Sequence, residues 1–117
     1  MFLIPSRERP HRLAKLIKAC LDTKMSTPAA VLLDEDDPCL SSYLNLSLPP
    51  DWTVEIGPRG GLSEIYNRSF SRHPDEKWYG ILCDDAAPET DYFDLMLIKE
   101  VGVRNMAVPA SNADTGP

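Results

Sequence analysis

The sequence predicts an α/β domain, a three-layer α/β/α arrangement with a mostly parallel sheet and helices on its faces. Three observations lead there. Short apolar runs with strand character alternate with segments whose apolar residues recur at helical spacing. That strict alternation implies right-handed crossovers between parallel strands. The loops that follow the strand-like runs collect the charged and glycine-rich residues, as the ligand-bearing edge of such a sheet does.

Each element has its own signal. "FLI" (2–4) reads as a short buried strand cut by Pro5. Pro10 suits a first helical position, and Leu13, Leu16, Ile17, Cys20 and Leu21 follow at helical spacing, predicting a helix over 10–22. "AAVLLD" (29–34) is a compact apolar strand ending in acid. Asp37 as cap, Pro38 in the first turn, and Leu40, Tyr43 and Leu44 on one face predict a second helix. "LPPDW" ends it, and "TVEI" (53–56) is a third strand. After "GPRGG" (57–61), Leu62, Ile65, Tyr66, Ser69 and Phe70 define a third helix. "WYGIL" (78–82) is a fourth strand. A fourth helix over 91–101 has Thr90 or Asp91 as cap and Gly102 as its stop. Apolar on nearly every side, it is expected to be well buried. A last strand over 104–108 precedes the tail "PASNADTGP" (109–117), which reads as disordered. Residues 1–108 thus form a single domain.

Composition narrows the function. With 117 residues the chain supports one core, and its 43% hydrophobic and 26% charged residues are ordinary for a globular protein. No apolar stretch is long enough to span a bilayer, and the opening residues lack a signal-peptide core, so a cytoplasmic location is expected. A net charge of −6 argues against nucleic acid as a partner, since phosphate neutralisation needs excess Lys and Arg. The charge is unevenly placed: Arg7, Arg9, Arg12, Lys15 and Lys18 crowd the start, while "DEDD" (34–37) and "CDD" (83–85) carry acid. One anionic ligand with a bound cation suits that asymmetry; so does a solvated basic helix face beside acidic loops. Cys20, Cys39 and Cys83 form no CxxC pair and no disulfide framework. His11 and His73 have no ligand-like spacing and read as surface residues.

Four loops follow the first four strands: "PSRER", "DEDD", "GPRGG" and "CDDAAP". Polar turns explain any one of them, and explain less well why two acidic clusters and two arginine-bearing loops share one edge. Asp84 and Asp85 suit a divalent cation, Mn²⁺ or Mg²⁺, whose shell substrate phosphates complete. Arg59, Gly60 and Gly61, just before a helix, offer charge, backbone N–H groups and a positive dipole end to a phosphate. No Walker loop, no GxSxG elbow and no Cys–His nucleophile pair is present.

On these residues the chain resembles the N-terminal, nucleotide-sugar-binding half of a family 2-like glycosyltransferase with the GT-A fold. "IPSRERPHRLAKLI" resembles the family's first strand and helix, whose turn contacts the nucleotide; the resemblance implies that role for Pro5, Ser6, Arg7 and Arg9. "VLLDEDDP" resembles the strand whose terminal acid, here Asp34, hydrogen-bonds the base. "GGLSEIYNRSF" resembles the helix that carries an Asn, here Asn67. "WYGILCDDAAPET" resembles the strand delivering a DxD motif, with Cys83 in place of the first acid and Asp84 and Asp85 retained. The resemblance spans residues 2–108. It implies a shortened GT-A-like domain that binds a nucleotide-diphosphate sugar of UDP type through a divalent metal. It also implies that the acceptor half, with its catalytic base, lies beyond residue 117, which leaves room for a homo-oligomer or a completing partner chain. Two functions therefore compete: a glycosyltransferase, and a binding or structural module that kept the sheet and lost catalysis.

Overall fold

The computed structural model describes residues 1–104. In chain order its elements are β1 (Phe2–Pro5), α1 (Pro10–Asp22), β2 (Ala29–Asp34), α2 (Leu40–Leu44), β3 (Trp52–Gly57), α3 (Leu62–Arg72), β4 (Gly80–Ile81) and α4 (Phe93–Arg104). The strands form one all-parallel sheet in the order β3-β2-β1-β4. Phe2 pairs with Ala29 on one side and with Gly80 on the other, so β1 is central and β4 an edge.

Alternation along the strands sends neighbouring side chains to opposite faces. Phe2, Ile4, Val31 and Leu33 pack with Leu13, Leu16, Ile17 and Cys20 of α1, Tyr43 of α2 and Phe93 of α4. Leu3, Ala30 and Leu32 point the other way, against Ile65, Tyr66 and Phe70 of α3. The sheet is thus covered on both sides, which is why β2 is buried at all six positions. Phe2 packs edge-on to Trp78, ring centroids 5.4 Å apart. A Cβ on Gly80 would stand 2.7 Å from the Phe2 ring, so the glycine is what lets β4 lie this close.

Several elements differ from their sequence expectation. The fourth strand shrinks from 78–82 to Gly80–Ile81, although Leu82 N–H still reaches the Leu3 carbonyl. It has one neighbour only, and Trp78 and Tyr79 turn to packing instead. Asp37 does not cap α2. Its Oδ1 accepts from Cys39 N–H at 2.7 Å, an Asx turn that sets up the helix three residues later. The fourth helix starts at Phe93 and runs through Gly102, and it is not buried all round. Phe93 and Asp94 face inward while Leu95 and Met96 are about half exposed, because α4 covers the sheet with only one side. The expected strand over 104–108 and the tail 109–117 fall, apart from Arg104 at the end of α4, outside the described residues. Among the described residues no helix is long and apolar enough to cross a membrane.

Candidate functional site

In a parallel sheet every carboxyl end lies on the same edge, so the loops after β1, β2, β3 and β4 gather there. The crossover from β1 leads to β2 on one side, and the chain returns from β3 to β4 on the other. The chain therefore diverges between β1 and β4, the position where such sheets open a crevice. A cleft of about 460 Å³ lies on this edge, a size typical of small-molecule sites.

Its floor is a hydrogen-bonded chain. Ser6 Oγ donates to Asp84 Oδ2 at 2.8 Å. Since that uses the only hydroxyl proton of Ser6, Tyr43 Oη donates to Ser6 Oγ at 2.7 Å. Arg9 N–H in turn donates to Tyr43 Oη at 2.9 Å. The Arg9 guanidinium stands 3.6 Å from Asp84 Oδ2, close enough to balance a carboxylate that is 5% exposed. The loop after β1 is held again by Asp37, whose Oδ2 accepts from Glu8 N–H at 2.9 Å. Glu8 needs that anchor: its φ of 54° lies in the left-handed region, which a non-glycine residue enters at a cost of ~1–3 kcal/mol.

Beside this floor, Arg7 Nη1 donates to both Asp34 Oδ2 and Asp36 Oδ1 at 2.9 Å. Asp36 and then Asp34 hold the guanidinium firmly charged, and Arg7 holds the Asp36 carboxyl below the usual carboxylate range. The opposite side is apolar: Leu62, Ile65 and Tyr66 of α3 with Leu32 of β2. Burial, and then Cys83, push the Tyr66 hydroxyl pKa up. The Cys83 thiol is raised by burial, then by Asp85 and Asp84, so it stays protonated and is a poor nucleophile.

Pro5, Ser6, Arg7, Arg9, Asp34, Arg59, Gly60, Asp84 and Asp85, all singled out in the sequence, line this one cleft. Two others do not. Gly61 is the N-cap of α3 and Asn67 is exposed on that helix away from the cleft. Gly61 has an ordinary φ of −66°, and a Cβ there would meet nothing within 4 Å. Because α3 has no side-chain cap, the N–H groups of its first turn keep their capacity for an incoming acceptor.

By sequence Tyr43 belongs to a core face and Asp37 is a helix cap; in the structure both also fix the loop after β1. Helical spacing marks Tyr43 as buried but says nothing of where its hydroxyl points. Replacing Tyr43 with Phe is expected to cost about 1–2 kcal/mol in urea denaturation, since Arg9 N–H and Ser6 lose their partner. Asp84 should then be held less firmly while the core packing is kept.

The paired acids fit a divalent ion in one way only. Asp84 Oδ2 is committed to Ser6 and Arg9, which leaves the other oxygen of Asp84 and the exposed carboxylate of Asp85. No group of three or more His, Cys, Asp or Glu that could hold a metal occurs among the described residues. The pair therefore suits an ion that arrives with ligand oxygens of its own.

Comparisons with protein-family models, with curated proteins and with solved structures returned no match. The fold and cleft define a small α/β domain with a four-stranded parallel sheet and an arginine- and carboxylate-lined crevice.

Proposed function

We propose that this cleft binds a nucleoside diphosphate bearing a sugar, of UDP type, in the manner of a glycosyltransferase donor site. The observation that carries the reading is the convergence of Arg7, Arg9 and Arg59 on one crevice that also holds a buried, hydrogen-bonded Asp84. Arg59, which forms no ion pair among the described residues, supplies charge to a diphosphate, and Arg7 and Arg9 add forked donors beyond those they give to Asp34, Asp36 and Asp84. The uncapped start of α3 adds N–H groups and a favourable dipole. Tyr66 and Leu62 offer the apolar surface against which a base can lie. Asp84 and Asp85 would hold Mn²⁺ or Mg²⁺ together with the diphosphate oxygens. Such an ion would supply positive charge to a departing diphosphate.

Calorimetric titration with uridine diphosphate, with and without Mn²⁺, tests the reading. Binding in the micromolar to millimolar range is expected. Gly60→Val is expected to fold, because the closest atom its Cβ meets is the flexible end of the Glu64 side chain, and to weaken diphosphate binding roughly tenfold by crowding the cleft beside the start of α3, whereas Gly61→Val, off the cleft, should leave binding within about twofold. Absence of nucleotide binding to the wild type at several millimolar would sink the proposal.

A second reading, a nucleotide-binding module without turnover, is favoured by the commitment of Asp84 to Ser6 and Arg9. It predicts diphosphate binding that is indifferent to metal, and no release of sugar from a nucleotide sugar under any metal condition.

A further inference from the structure

A second cleft, of about 380 Å³, lies on the far side of the acid pair. One wall is the exposed face of α1, with His11, Arg12 and Lys15; the other is Asp84 to Ala87. His11 and Lys15 are one helical turn apart, and Arg12 is beside them, so the three project together. No ion pair among the described residues takes up the charge of Arg12 and Lys15. Among the described residues neither Arg12, Lys15 nor His11 forms an ion pair, whereas Lys18, one turn on, is paired with Asp22, and Arg9 with Asp84. A chain with 18 acidic residues has left its basic cluster open at a concavity. The neighbouring Ala19, Ala86 and Ala87 carry no bulk that would keep a ligand away.

We propose that this second cleft binds the phosphate monoester group of another ligand. Arg12 and Lys15 take the phosphate oxygens, and His11 adds a ring N–H. The carboxylates on the opposite wall do not defeat this. Asp84 is balanced by Arg9 and Ser6, and Asp85 is left to accept from a hydroxyl of the same ligand. The expected ligand is therefore a hydroxyl-bearing phosphate monoester, lying against the same acid pair that borders the first cleft. The phosphate-binding residues of this cleft do not depend on the nucleotide reading, because no residue of the α1 wall lines the first cleft; only Asp84 and Asp85 border both.

The test is titration with glycerol 3-phosphate, and separately with vesicles of phosphatidylcholine containing lysophosphatidic acid, whose glycerol keeps one free hydroxyl, on the wild type and on the Arg12→Gln, Lys15→Gln double variant. Both positions are exposed, so the variant is expected to fold, which circular dichroism and its urea midpoint check. Wild-type binding to one of the two phosphate sources, weakened tenfold or more in the double variant, supports the proposal. The source that responds tells a soluble monoester from a lipid headgroup. Uridine diphosphate affinity should stay within about twofold in the same variant. No binding to either source at 10-millimolar phosphate (roughly the weakest affinity a single charge-assisted contact gives) overturns it. So does binding that a folded double variant retains.

Discussion

Asp94→Ala is expected to lower stability by about 3–5 kcal/mol. Asp94 sits in the first turn of α4 and is fully buried. One of its oxygens, Oδ2, accepts from Ser26 N–H at 3.1 Å, Thr27 N–H at 3.0 Å and the Thr27 hydroxyl at 2.6 Å. Alanine would leave three donors facing a void, and a buried donor without a partner costs about 1–3 kcal/mol. The contact also has topological weight. Ser26 and Thr27 lead directly into β2, so α4 fixes the entry of a strand that pairs on both sides. The Tyr92 N–H bond to the Thr23 carbonyl and the Lys24–Asp91 ion pair reinforce the same junction. Asp94→Asn should be milder, about 1–2 kcal/mol, because an amide oxygen can keep the three donors while its NH₂ lies where Oδ1 has no partner. Urea denaturation measures both. A loss under about 1 kcal/mol for alanine would mean that water reaches the loop and replaces the carboxylate. The junction is at the amino end of the sheet, opposite the cleft, so ligand affinity of the folded variants should not change.

This junction was not legible in the sequence, and the reason is general to the molecule. Periodicity located α1, α3 and the first three strands within a residue or two, because amphipathic helices and buried strands write their burial into local spacing. The shared edge of the four loops followed from parallel pairing alone. What local spacing cannot carry is the long-range polar contact. Asp94 meets Thr27 across 67 residues and Ser6 meets Asp84 across 78. In the sequence Asp94 is one acid in a stretch that is apolar on nearly every side and so predicts a well-buried helix. The helix instead shows Leu95 and Met96 to solvent and turns its acid inward.

The same limit explains the uneven legibility of the cleft. Arginines, glycines and acids announced themselves by residue type and by their place after strands. The apolar wall did not, since Leu62, Ile65 and Tyr66 are spaced like any core-facing stripe. Asn67 follows Tyr66 by one residue, a rotation of about 100° that carries it off the cleft side. The two adjacent carboxylates at the end of β4 also resolve differently from one another. Asp84 is buried and balanced by Ser6 and Arg9, while Asp85 is exposed. Their roles need not be equal.

That inequality makes Asp85→Asn the cleanest test of a bound cation. Asn keeps the shape of the side chain and removes its charge. The fold should be unaffected or slightly more stable, because a like charge next to Asp84 disappears and, among the described residues, Asp85 takes part in no ion pair. Asp84→Asn would be a poorer probe, since it also disturbs Ser6, Tyr43 and the placement of Arg9. With uridine diphosphate alone, wild type and Asp85→Asn should bind within about twofold of each other, because Arg7, Arg9 and Arg59 are untouched. With Mn²⁺ the wild type should bind at least about tenfold more tightly, the gain expected when a carboxylate and a diphosphate share one ion. In Asp85→Asn that gain should vanish, since the remaining oxygen of Asp84 cannot hold the ion against the nearby Arg9 charge. Calorimetry on both proteins, each with Mn²⁺ and with chelator, measures the four affinities. An undiminished Mn²⁺ gain in the variant would take Asp85 out of the ion's shell. A wild type indifferent to Mn²⁺ would remove the ion from the site and leave the three arginines as the counter-charge of the diphosphate.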